Sequence, residues 1–150
     1  MQEIKAPETL PKRIFLAGSI EMGKAGNWQE RVARELSDIP NLTILNPRRD
    51  DWDDSWVQSI NDPQFRGQVE WEIAAQEMAD VIFMYFAPDT KAPVTLLELG
   101  LFARSGKLIV CCPDGFWRKG NVEVVCKRFS APLVEDLEDA IRRLKILLSR

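Results

Sequence analysis

One carboxylate stands inside the apolar run Thr95-Leu96-Leu97-Glu98-Leu99-Gly100-Leu101-Phe102. Two readings of Glu98 are open. Thr95-x-x-Glu98 has the spacing of a capping box, in which the glutamate returns to the N–H of the helix cap. Alternatively, a glutamate in the first turn of a helix is held ionised by the helix dipole, as a carboxylate nucleophile must be. The two roles are compatible in part. Histidine is absent from the chain. That removes Ser-His-Asp and Cys-His catalysis and argues against a zinc site. Acid–base work is left to carboxylates, Tyr85, lysines or thiols.

Other groups divide between chemistry and surface. Glu70, Glu72 and Asp80 share one helical segment and read either as a solvated face or as site carboxylates. Asp50, Asp51, Asp53 and Asp54 stand beside Trp52 and Trp56, as a lid or a solvated acidic loop. Arg48 and Arg49 suit a phosphate, but pairing with those aspartates is the favoured reading. The stretch Gly18 to Ala25, "GSIEMGKA", follows the phosphate-loop pattern up to its last position, where Ala25 replaces the hydroxyl that would hold magnesium. A glycine-rich lip over another ligand fits better. Cys111, Cys112 and Cys126 have no CxxC spacing and read as buried reduced thiols.

Behind these residues stands a chain of 150 residues, enough for one domain with one core. A net charge of −3 without a long basic run argues against general nucleic-acid binding. No apolar run approaches the ~18 residues of a membrane span, and the N-terminus lacks the apolar core of a signal peptide. The expected location is cytoplasmic. Residues 1–12 are expected to form a flexible arm ahead of a domain over 13–150. Apolar strands at 13–17, 42–46, 81–86, 107–112 and "APLV" alternate with helical segments. Among the helices, Asn27 with Glu30 forms a capping-box pattern, and Asp62-Pro63 opens the segment before the third strand. "NVEVVCKRF" reads as a short helix capped by Asn121. Five alternations predict a three-layer α/β domain with a five-stranded parallel sheet in the order 2-1-3-4-5. The switch point then lies between strands 1 and 3, so Ser19 and Glu98 are expected to face one crevice.

Three segments in this order, "IFLAGSI", "QVEWEIAAQEMADVIFMYF" and "TLLELG", resemble nucleoside 2-deoxyribosyltransferases and the related deoxynucleoside 5′-monophosphate N-glycosidases. The resemblance spans roughly residues 13–129. It implies a flavodoxin-like fold, cleavage of the N-glycosidic bond of 2′-deoxynucleosides, and no cofactor. It makes Glu98 the nucleophile and Glu72 the carboxylate that holds the deoxyribose. It places Phe15 where relatives commonly have a tyrosine whose hydroxyl orients the nucleophile. Some transferases carry an aspartate six residues before the nucleophile; here Ala92 stands there, with Asp89 nearby as substitute. The resemblance further implies an oligomer in which a neighbouring subunit supplies an asparagine, Asn121 here.

The expected function is therefore transfer of deoxyribose between nucleobases through a glycosyl–Glu98 intermediate, with an oxocarbenium-like transition state. Gly18 and Ser19 would line the substrate site with Phe15, Glu72, Asp89 and Asn121. Protonated Glu98 or Asp89 would assist the leaving base. The alternatives are a 2′-deoxynucleoside 5′-monophosphate N-hydrolase, with Ser19 and Lys24 near the phosphate, and a nucleotide-binding module without turnover.

Overall fold

The computed structural model describes residues 1–8, 10–20, 26–49, 53 and 55–150. Five strands, β1 (Lys12–Gly18), β2 (Leu42–Leu45), β3 (Val81–Tyr85), β4 (Leu108–Cys111) and β5 (Leu133–Val134), form one sheet in the order β2-β1-β3-β4-β5. Every pairing is parallel. The expected fold class and strand order are borne out. Strand β3 sits at the centre, with Phe15 opposite Ile82 and Gly18 opposite Tyr85 on β1. It is apolar along its whole length because both of its faces are covered.

The connecting helices are α1 (Trp28–Glu35), α2 (Pro63–Met78), α3 (Pro93–Phe102), α4 (Lys119–Arg128) and α5 (Leu137–Leu148). Alternation along the strands sorts the core into two layers. Phe15, Ala17, Ile82, Met84 and Val110 pack under α2, α3 and α4. Ile14, Leu16, Phe83 and Ile109 pack under α1 and α5. Successive Cys111 and Cys112 fall into opposite layers. All three cysteines are free and buried. Burial pushes the Cys111 and Cys112 thiols up to about 12 and Cys126 to about 11.

The helix starts show how local sequence sets the frame. Asp62 accepts from the N–H groups of Gln64 and Phe65, with Pro63 at the first helical position, as expected. Asn27 caps α1 by accepting from Glu30 N–H at 3.1 Å. The Glu30 carboxylate answers to the Asn27 side-chain amide. Two starts depart from expectation. Helix α3 begins at Pro93, because Ala92 takes a left-handed turn (φ 44°) ahead of the proline. Helix α4 begins at Lys119 with Arg118 in the cap position, which leaves Asn121 exposed within the first turn. Asn121 is therefore not an N-cap.

Among the described residues no helix is long and apolar enough to cross a membrane.

Candidate active site

Because α3 starts at Pro93, Glu98 is its sixth residue and lies beyond the first turn. Both local readings of Glu98 fail for this reason. It does not form a capping box with Thr95, which is itself inside the helix and buried. Nor is it held ionised at the helix start. Instead Glu98, Leu99 and Thr95 face inward, and Glu98 is only 8% exposed. Its partner comes from α2: Gln76 Nε2 donates to Glu98 Oε2 at 2.5 Å. Burial raises the Glu98 carboxyl to about 7, the Gln76 hydrogen bond opposes the rise, and the charge of Glu72 adds to it.

Helix α2 supplies a polar stripe at i, i+4 spacing. Gln68, Glu72 and Gln76 lie one above another on the helix. Gln68 Nε2 donates to Glu72 Oε1 at 3.4 Å, and Arg49 donates to Gln68 Oε1 at 3.3 Å. Glu72 is half-buried, and burial also raises its pKa. Its neighbour Glu70 is exposed and paired with Arg66. The two glutamates flanking Trp71 thus part ways, one to solvent and one toward Glu98. Asp80 belongs to the frame, where it accepts from the Arg13 N–H.

Phe15 lies in the same layer, 1% exposed, with its ring 6.3 Å from that of Trp71. Phe15 offers a phenyl ring and no hydroxyl, and the described hydrogen bond to Glu98 comes from Gln76. A groove of about 380 Å³ bordered by Arg49, Gln68 and Trp71 touches this stripe at Gln68, and neither Glu72 nor Glu98 lines it. That volume is in the range of small-molecule sites. A larger open groove, about 580 Å³, lies at Trp56 and Asp62 and borders none of the candidate site residues.

The first loop and the loop after β3 do meet, as the switch point requires. The Ser19 hydroxyl accepts from Ala87 N–H at 3.1 Å and lies 2.8 Å from the Thr90 hydroxyl, which donates to the Ala87 carbonyl. Ser19 is 1% exposed, and the described bonds of its hydroxyl all go to this loop, none to Glu98. Its hydroxyl ties two loops together, which leaves it poorly placed as a phosphate ligand. Gly18 is required by close approach: a Cβ there would overlap the Tyr85 carbonyl oxygen and the Trp28 ring. Trp28 in turn donates from Nε1 to the Ser19 carbonyl at 2.9 Å. Tyr85 packs edge-on to Trp28 in the α1 layer, so the sheet separates it from Glu98.

Two other candidates stand apart from Glu98. Asp89 is exposed in a left-handed conformation (φ 61°), and its N–H donates to Gly115 in the loop after β4. Asn121 is on the outer surface of α4. Arg48 donates to Gln29 and the Gly26 carbonyl, and Arg49 stacks on Trp56 at 5.0 Å. Lys24, Asp50, Asp51, Trp52 and Asp54 lie outside the described residues.

Gln76 and Gln68 were not singled out in the sequence, since neutral amides carry no charge signal. Their i, i+4 spacing around Glu72 was the available clue. A search of curated proteins returns no match. The model of the family described as nucleoside 2-deoxyribosyltransferase like matches residues 11–116, from the start of β1 past the end of β4. That span holds the switch-point loops, the α2 stripe and Glu98 alike, and the chain belongs to the nucleoside 2-deoxyribosyltransferase-like family.

Proposed function

We propose that this protein transfers deoxyribose from a 2′-deoxynucleoside to a free nucleobase, with Glu98 as nucleophile. The observation that carries the reading is Glu98 itself: a nearly buried carboxylate in the family's "ELG" segment, hydrogen-bonded from α2 and in the field of a second carboxylate. One Glu98 oxygen bonds to C1′ as the C1′–N bond breaks. The electron pair of that bond leaves with the base, which takes up a proton. In the second half, a nitrogen of the incoming base attacks C1′, gives up its proton and frees the carboxylate. Two displacements give net retention.

Glu72 is assigned to the deoxyribose hydroxyls, as the family resemblance implies. Phe15 and Trp71 supply an apolar wall beside it. Gly18 and Ser19 act by fixing the floor between the loops, and Asp89 is the reserve acid for the base. The step as written uses carboxylate and base alone, so no cofactor is invoked.

The test uses deoxyinosine with free adenine, followed by chromatography. Deoxyadenosine and hypoxanthine should appear in equal amounts, and Glu98→Ala should form neither. Accumulation of free deoxyribose without deoxyadenosine would replace transfer by hydrolysis. Near-normal exchange in Glu98→Ala would remove Glu98 from the mechanism.

A further inference from the structure

We propose that Gln76 is a positioning residue for Glu98, its side-chain amide holding one carboxylate oxygen so that the other is presented for attack. The inference rests on the reading of Glu98 as nucleophile. Gln76 is 0% exposed, and its Nε2 donates both to Glu98 Oε2 at 2.5 Å and to the Glu72 carbonyl one turn earlier at 3.2 Å. The second bond anchors the amide to its own helix, so the first fixes the carboxylate in direction as well as distance. Glu98 Oε1 accepts no described hydrogen bond. The two oxygens are therefore inequivalent: Oε2 is tethered, and Oε1 has no described partner.

Gln76 Oε1 is one of two buried side-chain atoms without a partner among the described residues. An unpaired buried acceptor is costly, and such exceptions concentrate where a site needs them. Here the two donor bonds, to Glu98 Oε2 and the Glu72 carbonyl, offset that cost and keep the amide turned with its donor toward Glu98. If the amide turned over, Oε1 would face the carboxylate and could pair only with its protonated form. The orientation found is the one that favours the ionised nucleophile.

Among the described residues, no other charged residue competes for this role. On α3 the carboxylate of Glu98 is the only charge, and the strand residues beneath it, Phe15, Ala17 and Met84, are apolar. Glu72 on α2 is the charged group whose field reaches it. Lys107 is bonded to the carbonyls at the end of α2, on the backbone side of Gln76.

The experiment compares wild type with Gln76→Met, which keeps the volume and loses the donor, and with Gln76→Asn, which keeps the amide and shortens its reach. Glu98 is titrated by carboxyl-carbon NMR, assigned with Glu98→Gln, and the pH profile of kcat/KM is recorded in parallel. In Gln76→Met the Glu98 midpoint should move up by about one unit, as loss of a hydrogen bond to a charged group implies. The acid limb should move with it, and kcat should fall about tenfold to a hundredfold with KM little changed. Gln76→Asn should show the same displacement. An unmoved Glu98 midpoint in a folded variant overturns the proposal, whatever happens to turnover. A displaced midpoint in a protein that lacks exchange activity supports the contact and counts against the nucleophile reading instead. Should Gln76→Met not fold, Gln76→Asn carries the same two readouts.

Discussion

At the scale of the residue, the carboxyl of Glu98 is raised from 4.5 to about 7 in the fold, chiefly by burial. A raised acid binds its proton more tightly in the folded chain than in the unfolded one. Its contribution to stability is therefore intact below about 4.5 and is lost as pH rises toward about 7. The size is on the order of 3 kcal/mol. Glu98→Gln removes the titration. Thermal melts of the two proteins should nearly coincide at pH 4.5, and the variant should melt higher at pH 8. A gap that does not widen with pH would mean that ionising Glu98 costs the fold nothing. This stability cost is what a site accepts when it buries a reactive group. Glu72 is raised too, but it is half-exposed and has Gln68 for support. If it holds the sugar, Glu72→Ala should weaken kcat/KM by roughly 1.5–3 kcal/mol for every base offered. A defect confined to one base would assign Glu72 to base recognition.

At the scale of the element, the site depends on how β1 ends and how α3 begins. Gly18 lets the chain pass against the Tyr85 backbone and the Trp28 ring, so that Ser19 can bind Ala87 and Thr90. Gly18→Ala should destabilise by about 1–3 kcal/mol through overpacking, read as a lower urea midpoint. A midpoint equal to wild type would show that the two loops close without this contact. The strand order was readable because five apolar runs alternate with helical segments and right-handed crossovers leave few topologies. The start of α3 was equally readable: Ala92-Pro93 places proline where Asp62-Pro63 does in α2, and both helices begin at their proline. The spacing Thr95-x-x-Glu98 puts the cap three residues after Ala92, which takes the cap position in the structure, and so puts Glu98 in the first turn. Gln76 was not legible in the same sense. Its helix has apolar, acidic and amide residues on every side, and only the packing of α3 beside it on the same face of the sheet tells which of them is buried. Contacts between elements distant in sequence leave no local pattern to read.

At the scale of the whole molecule, α3 is apolar on its outer side as well. Val94, Leu97 and Leu101, at i, i+3 and i+7, are 58%, 65% and 56% exposed. A helix that is apolar all round belongs in an interior, and here one face has no cover from its own chain. Asn121 and Val124 lie on the outer face of the neighbouring helix on the same side of the sheet. A second copy seated on this side would cover the α3 stripe and could carry its own Asn121 toward the first copy's crevice. That arrangement is what the family resemblance implies for the shared site, and it is compatible with an Asn121 exposed on α4. Leu97→Lys should therefore lower the mass seen by light scattering and depress exchange activity together. Glu98→Ala and Asn121→Ala should each be inactive alone and should regain part of the activity when refolded together, because a mixed dimer would hold one site with both residues intact. An active monomer in wild type, or mixed refolding without recovery, would confine each site to a single chain. Asn121 would then be a surface residue in the first turn of α4, and the α3 stripe would need another partner.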